Sequence, residues 1–101
     1  MDLNYLMNKR VDIAFKKALE IYKHFMIRNV QDLADIKSVI ANYYPLGKIA
    51  CHHSPITVGI STVYYVMKKN NNELLSLNYF HEVFGIDRKA LKNCLDEIVK
   101  L

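Results

Sequence analysis

Two clusters in this chain of 101 residues carry side chains that could do chemistry. Cys51, His52 and His53 stand side by side, and Arg88, Lys89, Lys92 and Asn93 recur at intervals of one, three and one. Thiol and imidazole groups suggest a metal site first. Three adjacent residues rarely converge on one ion, however, and no second Cys/His pair stands at ligand spacing. Imidazoles just before a helix can instead meet an anion such as a DNA phosphate at its N-terminus. The second cluster has the side-chain types that reach base edges and phosphates in a major groove. An outward Arg-Lys face is equally what a solvated helix surface looks like. The chain has four histidines and ten acids, but no Ser/His/Asp, Cys/His or carboxylate pair at recognisable spacing and no glycine-rich phosphate loop. Cys94 falls on an apolar stripe and reads as core. The chain is read as no enzyme, with no cofactor and no metal.

These clusters must be held by helices. The stretch from Ser54 to Lys69, SPITVGISTVYYVMKK, is the central one. Ser54 can cap it, and Pro55 suits its first turn, where a missing N–H costs nothing. Ile56 to Val66 carries no charge, and its apolar residues cover the whole circumference, so the helix must be buried on most sides. Val, Ile and Thr would also suit a buried strand, but the Ser-Pro start and Lys-Lys end favour a helix. Gly59 and Ser61 are poor helix formers and predict close approach of neighbouring helices.

Upstream, Met1–Arg10 reads as a lead-in segment, either a short helix or a stretch that would pack on a preceding domain. Val11–Met26 reads as an amphipathic helix with Ile13, Ala14, Ala18, Leu19, Ile21, Tyr22 and Phe25 inward and the lysines solvated. Asn29 caps a second helix, with Asp32 favourable to its dipole. Val30, Leu33, Ala34, Ile36 and Ile40 follow, and the pattern ends at Tyr44-Pro45. Downstream, Asn70-Asn71-Asn72 reads as a turn. Ser76 caps a short helix, Leu77–Phe84, with Leu77, Phe80, Val83 and Phe84 inward. Gly85 ends it in the left-handed conformation. Asp87 caps a last helix, Arg88–Leu101, with Leu91, Cys94, Leu95, Ile98 and Leu101 in one stripe. Short helix, glycine turn and longer helix over 76–101 form a helix-turn-helix arrangement. Its outward face carries Arg88, Lys89, Lys92, Asn93 and Asp96.

Composition sets the outer bounds. Half the residues are hydrophobic (51%), enough for the core of one all-α domain over residues 1–101. The net charge of +4 permits anionic partners. The basic excess lies in residues 1–28, with six Lys/Arg against three acids, and in 86–101, with four against three. Two cysteines give no disulfide framework. No apolar run reaches membrane-spanning length and no signal peptide follows Met1.

From Ser54 to Leu101 the chain resembles the second cyclin-like repeat of transcription factor IIB and its archaeal counterparts. SPITVGISTVYYVM matches the family's Ser-Pro start, buried run and Tyr. SLNYFHEVFGIDRKALKNCLDEI matches its capped short helix, Gly-containing turn and recognition helix. The upstream helices match more loosely. The resemblance implies a five-helix cyclin-like bundle with a C-terminal helix-turn-helix that binds promoter double-stranded DNA beside the TATA-binding protein and helps place RNA polymerase. Lys89 and Lys92 fall where the family's base-contacting Val and Arg stand. Lys92 keeps the charge of an arginine but not its bidentate fork. Ala90 and Asn93 are implied as further base or backbone contacts, and Arg88, Lys89, His52, His53 and Ser54 as phosphate contacts. The family's zinc ribbon and first repeat have no counterpart here, so a C-terminal fragment or a small divergent homologue, viral in flavour, is expected. Its place would be the nucleus or another site of transcription, or the cytoplasm for an archaeal or cytoplasmic viral source. A homodimer is not predicted. The competing expectation is a cyclin-fold protein-interaction module, with Lys89 and Lys92 merely solvated.

Overall fold

The computed structural model describes residues 3–25, 29–44, 53–71 and 75–101. They form five helices: α1 (Leu3–His24), α2 (Val30–Tyr43), α3 (Pro55–Asn71), α4 (Leu77–Phe84) and α5 (Arg88–Val99). The described residues contain no strand, so the all-α expectation holds. Each boundary has a local cause. The Asn29 carboxamide accepts from Gln31 N at 2.9 Å, the Ser54 hydroxyl from Thr57 N at 3.2 Å, and the Ser76 hydroxyl from Tyr79 N at 3.0 Å. Each of these side chains satisfies an N–H that the helix itself leaves open.

Helix α3 is the hub, and α1, α2 and α5 all pack directly on it. Val58 to Tyr64 are seven consecutive buried residues, nearly two turns, so every side of the helix is covered there. The tightest approach is to α1. A Cβ placed on Gly59 would lie 2.5 Å from the Ala14 carbonyl oxygen and 3.2 Å from Ala18 N. Only a residue without a side chain lets these two backbones meet, which is what Gly59 in the middle of a helix was expected to mean.

Several inward expectations are corrected. Ile13 is 40% exposed, because α1 meets α3 through the small residues Ala14 and Ala18, and Ile13 lies off that contact. On α2, Val30 is 84% exposed and Leu33 and Ala34 also face out. The buried set is Asp32, Ile36, Ile40 and Tyr43, one stripe at intervals of four, four and three. Val83 and Leu101 are exposed as well.

Two further readings change. Helix α1 begins at Leu3 and runs on without a break through Arg10 of the lead-in segment, whose Met1 and Asp2 lie outside the described residues. Asn70 and Asn71 belong to α3 rather than to a turn. The Asn70 amide donates to Asp32 Oδ1 at 3.0 Å and to Asp35 Oδ2 at 2.7 Å, while Tyr22 Oη donates to Asp32 Oδ2 at 2.8 Å. Asp32 is therefore a buried tie between α1, α2 and α3. Its carboxylate is tolerated inside because both oxygens accept hydrogen bonds.

Helix α4 stands on an aromatic cluster. Phe80 is fully buried, edge-on to Tyr64 of α3 at 5.0 Å between centroids and stacked on Phe25 at 5.7 Å. Phe84 adds an edge-on contact to His24 at 5.2 Å. These rings fix α4 against the far end of α1 and the middle of α3.

Candidate nucleic-acid interface

The turn between α4 and α5 is built as its sequence requires. Gly85 has φ 70°, and its N–H donates to the His81 carbonyl at 3.0 Å. An L side chain there would meet the left-handed penalty. His81 Nδ1 lies 2.7 Å from the Ile86 carbonyl oxygen. A carbonyl only accepts, so this nitrogen carries the proton. Ile86 is buried and plugs the turn. The Asp87 carboxylate accepts from Ala90 N at 3.0 Å and caps α5.

Helix α5 turns Leu91, Cys94 and Ile98 into the core and leaves Arg88, Lys89, Lys92 and Asn93 exposed; Ala90 is half-buried. The first two turns of α5 therefore present three cations and one amide to solvent, with no acid among them beyond the capping Asp87. None of the three cations stands in an ion pair with Asp96 or any other described carboxylate; the described pairs are Lys17–Glu20 and His53–Glu97. Unpaired cations on a rigid helix are free to meet phosphates without first losing a partner.

The second group of expected contacts lies elsewhere. Cys51 and His52 fall outside the described residues. Ser54 is exposed but already caps α3. His53 Nε2 is 3.5 Å from Glu97 Oε1, with only 13% of the histidine side chain exposed. Tyr43 Oη donates to the other oxygen of Glu97 at 2.6 Å. This cluster sits beside the last turn of α5. Glu97 is nine residues beyond Arg88, about 13 Å along the helix. The structure thus brings Arg88, Lys89, Lys92 and Asn93 together and sets His53 and Ser54 at the opposite end of α5.

Burial dominates the titration of the interior. It pushes the Tyr43 phenol far above its ordinary range, helped by the bond to Glu97, and the Tyr44 phenol up to about 12. Burial also pushes the Cys94 thiol up to about 11, against a smaller opposing effect of the Ser61 hydroxyl. Cys94 is core, as its stripe implied, and a buried neutral thiol is a poor nucleophile. No group of three or more His, Cys, Asp or Glu side chains placed to hold a metal occurs among the described residues. No described helix is long and apolar enough to cross a membrane.

One feature escaped the sequence reading. Lys68 Nζ stands 5.4 Å from the centre of the Tyr64 ring, and Lys69 Nζ 5.8 Å from that of Tyr65. The Tyr-Tyr-x-x-Lys-Lys spacing, two i,i+4 pairs in tandem, was the available signal. No protein family, curated protein or solved structure matches the chain.

Proposed function

We propose that the chain is a DNA-binding cyclin-like repeat of a factor IIB-like general transcription initiation factor. It binds promoter DNA beside the TATA-binding protein, without catalysing a reaction. The observation that carries this reading is the exposed start of α5, where Arg88, Lys89, Lys92 and Asn93 project from a capped, glycine-turned helix and no described carboxylate pairs with the cations. The five-helix order, with α3 at the centre and α4–α5 at its flank, suits a cyclin-like bundle ending in a helix-turn-helix.

On this reading α5 enters the major groove by its first two turns. Lys89, Lys92 and Arg88 supply most of the affinity through phosphates, and Asn93 and Lys92 read base edges. His53, turned toward Glu97, would contact a phosphate only after leaving that carboxylate. A single repeat binds free duplex at roughly micromolar Kd, near the non-specific range.

The test is a titration of a labelled TATA-containing duplex, with and without TATA-binding protein, at several salt concentrations. Wild type is compared with the double variant Lys89→Ala/Lys92→Ala. The expected result is salt-dependent binding, tightened by the partner, with a salt slope lower by about two in the variant. Binding indifferent to both lysines, or none at high micromolar protein, would leave the protein-interaction module as the better reading.

A further inference from the structure

Helices α3 and α5 do not close completely against each other. Between them runs a groove of about 280 Å³, lined by Tyr64, Tyr65, Lys68 and Lys69 of α3 and by Leu95 and Val99 of α5. Its floor is ring and aliphatic surface, and Val99 on its wall is 67% exposed. An isolated exposed valine is ordinary. An exposed valine bordering an apolar groove with cations along one edge is a shaped feature.

Both charged residues that line the groove are lysines. Lys68 and Lys69 are exposed, each ammonium standing over the ring of the tyrosine four residues back, and Lys68 also donates to Tyr64 Oη at 3.2 Å. On α5, Arg88, Lys92, Leu95 and Val99 follow at intervals of four, three and four, one stripe of the helix. The apolar wall thus continues into Lys92 and Arg88. In the cleft that adjoins the groove past Lys69, the carboxylate of Asp35 is already engaged by Asn70 and Gln31. Asp35 also feels the charge of Lys69, but neither lysine stands in a described ion pair, so an acid on an occupant finds both ammonium groups available.

We infer that this groove docks an acidic amphipathic segment of a partner protein, a short helix with one or two bulky apolar side chains flanked by Asp or Glu. The apolar side chain lies between Tyr65, Leu95 and Val99, and the carboxylates meet Lys68 and Lys69. An apolar anchor in a groove, read at helical spacing, is a recurrent mode of segment recognition. Ammonium groups already positioned over rings lose little freedom when they pair. The inference is independent of DNA reading by the first turns of α5.

The test is fluorescence anisotropy with a labelled synthetic peptide of about twelve residues, with Leu and Phe at helical spacing and Asp or Glu on the other face. Two control peptides replace every acid with Lys, or Leu and Phe with Ser. The protein variants are Val99→Gln and Lys68→Glu/Lys69→Glu. All three side chains involved are at the surface, and circular dichroism checks the folds.

Wild type is expected to bind the acidic peptide saturably, in roughly the 10–100 µM range, and neither control. Val99→Gln weakens that binding about tenfold and leaves the duplex titration unchanged. The double charge reversal abolishes it and gains binding of the Lys peptide. The inference fails if the acidic peptide does not saturate by about 1 mM, if the Ser control binds equally well, or if Val99→Gln changes nothing. It also fails if the groove proves to be covered by a second copy of the chain in solution, or if anionic vesicles or single-stranded DNA, rather than the peptide, show the dependence on Val99.

Discussion

Replacing Gly59 by alanine tests the geometry at the centre of the molecule. In an isolated helix the change stabilises, by about 1 kcal/mol, because alanine is the better helix former. Here the new methyl would lie 2.5 Å from the Ala14 carbonyl oxygen, 3.1 Å from Lys17 Cβ and 3.2 Å from Ala18 N. Reaching an ordinary 3.4 Å contact requires α1 and α3 to separate by about 0.9 Å. Two of the three opposing atoms are backbone, so no rotamer change relieves the clash. Overpacking of this kind costs about 1–3 kcal/mol, and rigid neighbours place it at or above the top of that range. After the propensity gain, a net loss of about 2 kcal/mol remains. With a urea slope of about 1–1.5 kcal/mol/M for a chain of this size, the midpoint should fall by about 1.5 M. Urea unfolding followed by far-UV circular dichroism measures it directly. A Gly59→Ala variant as stable as wild type, or more so, would mean that the two backbones do not approach as described, and the account of α3 as a buried hub would lose its main support.

Other perturbations probe separate parts. Asp87→Ala removes the cap on Ala90 N and should cost about 1 kcal/mol in the same unfolding assay. Asp35 has its carboxyl held below the usual range, chiefly by Asn70 and then by Gln31, so its contribution is present above the unfolded value near 3.8 and is lost as pH falls through the lower folded value. Asp35→Asn should therefore be less stable than wild type at pH 7, and the two midpoints should converge as pH falls below about 3.8, in urea melts at a series of pH values. In a Cys51→Ser background, Cys94 should react with a disulfide reagent at pH 8 on the order of a hundredfold more slowly than a free thiol, because burial both shields it and raises its pKa. Unfolding in urea should restore the ordinary rate.

Much of the helical frame was legible because its signals are local. A cap needs only one side chain and an N–H two or three residues on, and Asn29, Ser54, Ser76 and Asp87 all work in that way. Gly85 was equally readable, since a left-handed residue after a short apolar helix has few other meanings. The uncharged run of α3 announced burial on all sides. The misreadings arose where the deciding partner is remote. Asp32 was read only as favourable to the helix dipole, and its burial rests on partners that include Tyr22 and Asn70, ten and thirty-eight residues away. Ile13 and Val30 looked inward because they are apolar, but helix contacts here follow small residues and a hydrogen-bonded stripe as much as hydrophobicity. At the candidate interface, the exposure of Arg88, Lys89, Lys92 and Asn93 followed from the apolar stripe opposite them. The distance of His53 from that group did not, because it depends on how α3 and α5 lie side by side.

The way α5 rests on α3 has a consequence for modularity. The face of α5 opposite its cations is Leu91, Cys94 and Ile98, and its main shelter is α3, a helix that itself needs α1 and α2 to stay covered. The short companion helix leans on rings contributed by α3 and by the end of α1. Residues 76–101 are therefore not a portable unit. Grafted onto another scaffold they would carry the same side chains without the platform that spaces them. The smallest exchangeable unit is the whole five-helix assembly, so changes to the surface of α5 must come by substitution in place rather than by swapping the segment.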